Sequence, residues 1–467
     1  MSGTIIVGNL KWTLSRFLMM AGILSIGYSP TAAAQSGSPS HAPNAATLFE
    51  NVRIFDGRNG ALSASSHVLV RGNVIERISS APIDVRGNAE IQVIAAGGRV
   101  LMPGLIDAHW HAFMAATPQS VLMSAEPSYL HLLAARQAEA TLMRGFTTIR
   151  DMGGPVFGLK RAIDEGVMIG PRIYPSGAFI SQTSGHGDFR FLFELPRKPG
   201  GALSYIETQG ISAIADSPDE VRLRVREQLR LGASQIKLMA GGGVSSPPHN
   251  PIESTQYTEM ELRAAVEAAE NWGTYVAVHA YHPRAMQMAI RAGVKVIEHG
   301  QLADEETVRM MAEKGVWWSL QPLTYDTHMS AHMPETSRQR AMQVFEGTDR
   351  AYRLARKYNV KTAFGADILG DAEAANRQGA ALIVLARWYS PAEVLRMATA
   401  DNGELMALSG FINPYPGRLG IVEEGALADL LLVDGNPLDN LELVADPDRN
   451  FRVIMKDGRI YKNVLPK

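Results

Sequence analysis

Between residues 103 and 412 the chain repeats one pattern: a short apolar run, then a stretch with helical periodicity. The runs are LIDAHWH, FTTIRDM, RIYPSGAF, QIKLMA, YVAVHAY, KVIEHG, VWWSLQP and TAFGADI. Between them, DEVRLRVREQLRLGA, MELRAAVEAAENWG and DEETVRMMAEKG place apolar residues three and four apart and end near glycine, the signature of amphipathic helices. Strand-like runs alternating with helices imply repeated βα units and a parallel sheet. Eight such units close naturally into a (β/α)8 TIM barrel. The open doubly wound alternative lacks the Gly-rich phosphate loop that would support it.

The flanks read differently. From Thr47 to Met102, LFENVRIFDG, HVLVRGNVIERISS and IQVIAAGGRVLM alternate apolar and polar residues around Asp-Gly, Gly-Asn and Gly-Gly turns. ALADLLLVDGNPL and FRVIMKDGRIYKN repeat that style within residues 413–467. Neither flank has enough strands to stand alone, so the two are expected to join in one β-sandwich beside the barrel. Residues 1–34 have the layout of a secretory signal peptide: Lys11 and Arg16, an apolar stretch from Phe17 to Tyr28, then Pro30 and Ala32-Ala33-Ala34. The stretch is shorter than the roughly 20 residues a membrane helix needs. Residues 35–46, polar and Pro/Ser-rich, read as a flexible leader. A periplasmic or secreted location is therefore expected, with no membrane partner after cleavage.

Cysteine is absent from the 467 residues, which excludes disulfides, thiolate metal sites and cysteine nucleophiles. A formal net charge of -2 and the lack of a basic run with interleaved aromatics give no reason to expect nucleic acid. One connection is unusually long: residues 181–215 show little periodicity after the third run, and such loops are usually functional or disordered. It is expected to lie on the catalytic face.

Chemistry in a (β/α)8 barrel sits at the C-terminal strand ends. His109 and His111, Lys237, His279, His299 and Asp367 all stand there. On a strand, His109 and His111 point to one side and can hold one cation. Asp107 shares their parity but lies deeper. His279 and His299 end consecutive strands and can hold a second cation. Glu298 has the opposite parity to His299 and is expected to face the helix layer. Lys237 has apolar neighbours, and burial would depress its pKa. A neutral amine can take up carbon dioxide, and the two carbamate oxygens can bridge two metals; the plainer reading is a lysine paired with a carboxylate or reaching solvent. Asp367 can touch one metal, accept a proton from water and return it to a leaving amine. His282 reads as a loop residue. His41, His67, His131, His249, His328 and His332 match no strand end.

Taken together, PGLIDAHWH, GFTTIRDMGG, GPRIYPSG, QIKLMAGGG, VAVHAY, VIEHG, FGAD and GALADLLLVDGNPL resemble the amidohydrolase superfamily, in its binuclear branch with a carboxylated lysine. ISQTSGHGDF, IKLMAGGGVSSP and PIESTQYT are most similar to the imidazolonepropionase-like and Xaa-Pro dipeptidase-like group, which includes ochratoxin-hydrolysing amidohydrolases. The resemblance implies hydrolysis of an amide whose leaving amine belongs to an amino acid with a free carboxylate. It also implies two zinc ions, with manganese or cobalt served by the same ligand types, and a homo-oligomer. His186 would then polarise the scissile carbonyl or bind the carboxylate, and Tyr281 would donate a phenolic hydrogen bond. Arg190 and Tyr257 are candidates for the substrate's anionic end. Two rival functions use the same barrel: hydrolysis of cyclic amides, lactones or phosphotriesters, and an exported binding protein without catalysis.

Overall fold

The computed structural model describes residues 46–85, 90–194, 198, 201–247, 250–325 and 334–466. Residues 1–45, where a signal peptide and most of a leader were expected, and His41, His249, His328 and His332 lie outside them. Among the described residues no helix is long and apolar enough to cross a membrane.

The middle of the chain is an α/β fold built on two parallel sheets. Leu105–Trp110, Phe146–Asp151 and Arg172–Pro175 pair in that order. The second sheet runs Ser212–Ile214, Phe179–Ser181, Ile236–Met239, Val276–Ala280, Val296–His299, Trp317–Ser319 and Thr362–Ala363. Backbone hydrogen bonds join the two sheets at both edges. At one edge the Ser234 N–H, two residues before Ile236–Met239, donates to Pro175 O (2.8 Å). At the other, the Ala108 N–H donates to Phe364 O and the Asp367 N–H to His109 O, each at 2.9 Å.

Alternation along these strands sorts side chains into two cores, as a period of two requires. Ile106, Ala108, Tyr174, Tyr275, Ala277, Val296, Trp317 and Ala363 pack with one another. Their neighbours Leu105, Ile173, Val276, Ile297 and Trp318 pack instead in the cluster that contains Val221, Leu262, Met286 and Val308 of the helices. Those helices start and stop where local chemistry dictates. Pro218–Leu231 begins with Ser217 accepting from the Glu220 N–H and stops at Gly232, whose φ of 104° suits glycine. Glu259–Glu270 opens on a Thr258/Glu261 capping box, and Glu305–Lys314 runs from an Asp304 cap to Gly315.

Three expectations need correction. The third run is two strands, because Gly177 (φ 72°) breaks RIYPSGAF between Pro175 and Phe179. The connection 181–215 is not structureless: Tyr205–Thr208 is a turn of helix with its own capping box, and Ser212–Ile214 pairs parallel to Phe179–Ser181. Ala46, placed in the leader, is the first residue of a strand.

The two flanks do meet in one sheet. Its order is Arg459–Asn463, Phe451–Lys456, Leu430–Val433, Val100–Pro103, Ala46–Ile54, Ser66–Arg71 and Val74–Ser79, with Ile91–Ala95 parallel to Ala46–Ile54. Residues from both flanks, among them Phe49, Val52, Leu101, Leu430, Leu432 and Val453, share one apolar cluster. Arg172 ties this layer to the parallel strands. Its guanidinium meets Asp429 through Nε (2.9 Å) and Nη2 (3.3 Å), and Nη2 also reaches Asp457 (2.6 Å).

Candidate active site

The first parallel strand carries a bulge that aims its histidines. Asp107 pairs with Ile149 and Trp110 with Asp151, so one extra residue lies between the two pairings. Ala108 faces the inner cluster and Trp110 the outer one, while the His109 and His111 rings contact each other at 5.2 Å. Asp107 does not join them. Its carboxylate accepts from the His109 N–H (2.9 Å), the Ala366 N–H (3.2 Å) and Gln378 Nε2 (2.8 Å), which locks the strand end to the eighth strand. Gly365 makes that approach feasible: a Cβ there would lie 2.5 Å from His109 Cβ.

Asp367 is the centre of the arrangement. Its Oδ1 lies 3.4 Å from both His109 Nε2 and His111 Nε2, and its Oδ2 lies 3.6 Å from His299 Nδ1. Oδ1 is buried and, among the described residues, accepts no well-aligned hydrogen bond. A buried carboxylate oxygen without a well-aligned donor, facing two imidazole nitrogens, fits a divalent cation by the chemistry of the donor set. His109, His111 and Asp367 form such a group among the described residues. Ring contacts continue from His109 to His299 (4.9 Å), His299 to His279 (4.5 Å) and His279 to His186 (4.2 Å).

Burial sets the charge states. It pushes His109 and His279 well below the ordinary imidazole value, His299 down to about 4 and His186 to about 3. Neutral rings are what metal ligation requires. Burial opposes charge on Asp367, yet the surrounding His109, His111 and His299 rings hold its carboxyl well below the usual range. Lys237 is almost fully buried, on the face opposite the outward Ile236 and Leu238, and desolvation lowers its ammonium to about 8 against the pull of Glu298 and Asp367.

Glu298 was expected to face the helices, and the structure reverses this. Val296 is inward, so alternation carries Glu298 inward as well. His299 is the exception, because its positive φ of 69° turns the strand end back into the site. Glu298 Oε2 sits 2.7 Å from His109 Nδ1, and Oε1 accepts from Arg150 Nη2 at 2.7 Å. Arg150 in turn donates to Ala108 O (2.6 Å) and to the Tyr275 hydroxyl (3.3 Å). Arg150 was missed too, although its signal was the one that exposed Lys237: a charge inside an apolar strand. Gln321 Oε1, 2.8 Å from His299 Nδ1, was also missed, and no pattern in VWWSLQP marks it.

These partners fix which nitrogen each ring offers. His109, His111 and His299 place Nδ1 against Glu298, Gly153 O (3.2 Å) and Gln321, which leaves Nε2 as the lone-pair nitrogen. His279 is the reverse, with Nε2 3.1 Å from Gly242 O and Nδ1 left over.

The remaining candidates divide. His186 stacks on His279, with Nδ1 2.8 Å from Ser246 Oγ. Tyr281 lies 5.2 Å from His279 and 5.1 Å from His299, ring to ring, and burial raises its hydroxyl far above the ordinary value, so it stays a donor. Arg190 is held in a two-pronged pair with Asp188 (2.7 and 2.6 Å), and the buried Tyr257 ring belongs to the main core. Neither takes part in the ring contacts that link the histidines. His282 precedes the helix Pro283–Ala292, His131 is exposed on a helix and His67 lies in an accessory strand.

Residues 100–462 match the model of the amidohydrolase family. An ochratoxinase from Aspergillus niger is 31% identical over 377 residues, covering 78% of this chain and 76% of the relative. The crystal structure of a prolidase complexed with N-methylphosphonate-L-proline superposes with a TM-score of 0.81 at 35% identity, covering 90% of this chain and 100% of the other. A Xaa-Pro dipeptidase with methionine bound in its active site gives 0.76 at 28% identity, over 90% and 100% of the two chains. The family match over residues 100–462, with buried histidines gathered around the Asp367 carboxylate at the strand ends of an α/β fold, places this chain in the amidohydrolase family.

Proposed function

We propose that the protein is a binuclear metal-dependent amidohydrolase that cleaves the amide bond of dipeptides or N-acyl amino acids bearing a free carboxylate. In this reading the two edge-joined parallel sheets are a (β/α)8 barrel spanning residues 103–412, and the shared sheet of residues 47–102 and 413–467 is the accessory β-sandwich. The observation that carries it is the buried Oδ1 of Asp367, without a well-aligned donor among the described residues, at 3.4 Å from two imidazole nitrogens. His109, His111 and Asp367 would hold one zinc ion, and His279 and His299 a second. Lys237, drawn toward the neutral amine by burial, would bridge them as a carbamate, formed from amine and carbon dioxide with loss of one proton.

When bound, the metal pair supplies a Lewis acid for the carbonyl and lowers the pKa of water towards neutrality. The chain's own residues do the rest. Asp367 takes the proton from the attacking water and passes it to the amine as the C–N bond breaks. His186 and Tyr281 offer hydrogen bonds where charge develops on the carbonyl oxygen or rests on the substrate carboxylate. Support for the substrate class comes from the ochratoxinase, prolidase and Xaa-Pro dipeptidase relatives. Ochratoxin A, yielding ochratoxin α and phenylalanine, and Xaa-Pro dipeptides are the substrates to try first. We also propose export to the periplasm or beyond, from the signal-like layout of residues 1–34, and a homo-oligomer.

The test is a panel of dipeptides and N-acyl amino acids, set against lactones, cyclic amides and phosphotriesters, using zinc-loaded protein supplied with bicarbonate. Turnover of the open-chain amides is expected, falling sharply when the substrate carboxylate is esterified. Turnover of lactones, cyclic amides or phosphotriesters alone would sink the proposal, as would metal binding without any hydrolysis.

A further inference from the structure

The loop after Ile236–Met239, AGGGVSS, touches two stacked imidazoles and treats them oppositely. A Cβ on Gly243 would lie 2.6 Å from His186 and 2.8 Å from His279, so only glycine allows the loop this close to both rings. To His279 the loop presents an acceptor: Gly242 O, 3.1 Å from Nε2. To His186 it presents a hydroxyl: Ser246 Oγ, 2.8 Å from Nδ1.

Which way the second bond runs can be deduced. A serine hydroxyl has one hydrogen to give and two lone pairs to receive with. The Gly243 N–H donates to Ser246 Oγ at 2.7 Å and occupies one lone pair. Ser246 is buried, and its hydroxyl hydrogen needs an acceptor. Among the described residues that acceptor is His186 Nδ1. Nδ1 therefore carries the lone pair and Nε2 carries the hydrogen. The hydroxyl is also held in place from behind, since Arg340 donates through Nη1 to Ser246 O (2.9 Å) and through Nη2 to Pro247 O (3.4 Å). The turn bearing His186 is fixed as well, with the Gly187 N–H donating to Ser181 Oγ (3.0 Å) and the Ser184 N–H to Asp188 Oδ2 (2.8 Å).

We propose that Ser246 is a positioning residue that holds His186 as the Nε2–H tautomer, so that His186 meets substrate as a neutral hydrogen-bond donor and never competes for a cation. The same loop, through Gly242 O, leaves the Nδ1 lone pair of His279 available for ligation. The proposal rests on the site's reading as an amide hydrolase for its consequence, though not for its geometry.

The experiment is nuclear magnetic resonance on the zinc-loaded protein with histidine labelled at its ring nitrogens, His186→Gln supplying the assignment. In the unsubstituted protein at neutral pH, His186 is expected to show hydrogen on Nε2 and a bare Nδ1. In Ser246→Ala that single-tautomer signature should be lost, with kcat falling by about tenfold to a hundredfold and KM moving less. Hydrogen on Nδ1 of His186 in the unsubstituted protein overturns the proposal, whatever Ser246→Ala does. So does a Ser246→Ala protein with unchanged tautomer or unchanged kcat. Because the spectrum needs no substrate, failure to find a hydrolysed amide would defeat the functional reading while leaving the tautomer question separately decided.

Discussion

Glu298 shows how much one side chain can decide behind a candidate metal ligand. Its two oxygens join His109 to Arg150, each at 2.7 Å, with both charged groups fully buried. A carboxylate in that position sets the ring's orientation and raises its basicity. If the proposed site holds zinc, Glu298→Gln lowers zinc affinity about tenfold to a hundredfold in chelator competition. It also strips Arg150 of its counter-charge, which should reduce stability by about 3–5 kcal/mol in chemical denaturation. Unchanged zinc retention would show that Glu298 is only a packing partner. At this scale the sequence pointed to residues at strand ends, and the structure brings His109, His111, His279, His299 and Asp367 together, with Lys237 buried on its strand. The sequence misled at Glu298, because parity was counted from His299, whose left-handed backbone breaks the alternation. Ser246 gave no signal at all, since a serine in a glycine-rich loop looks like ordinary turn chemistry.

Strands and helices were legible to different degrees. Helices with a cap at one end and glycine at the other lie close to where the sequence puts them. Ser212–Ile214 escaped notice because three residues carry no usable period, and its pairing with Phe179–Ser181 is a tertiary event. The break at Gly177 likewise depends on the chain needing positive φ there. The most demanding contact between elements is the eighth strand against the first. A Cβ at position 365 would sit 2.5 Å from His109 Cβ and 2.8 Å from His109 N, leaving the two strands no way to stay in register. Gly365→Ala should therefore cost about 1–3 kcal/mol of stability and displace His109 from Asp367. Thermal unfolding and zinc stoichiometry would check this, and a variant with full stability and full metal content would refute it.

Across the whole molecule, buried neutral histidines make stability depend on pH. His186 and His299 fall from an ordinary 6.5 to about 3 and about 4 through burial. The unfolded chain binds protons below 6.5 that the folded state refuses, so stability is complete above that value and is lost as pH falls towards 4. The metal-free protein should lose up to about 1.4 kcal/mol per pH unit for each such histidine. Urea titrations at a pH of about 7.5 and about 5 would measure it, and equal midpoints would contradict the assignment of neutral rings.

The pairing of Val100–Pro103 with Leu430–Val433 has a consequence for biosynthesis. A ribosome makes the first of these strands long before the second, and the gap spans nearly the entire catalytic layer. Val100–Pro103 has Ala46–Ile54 on one side from the start, but its other edge has no partner throughout that interval. This half of the molecule therefore folds after translation has passed Val433, and until then an emerging chain presents a sticky strand edge for a chaperone to shield.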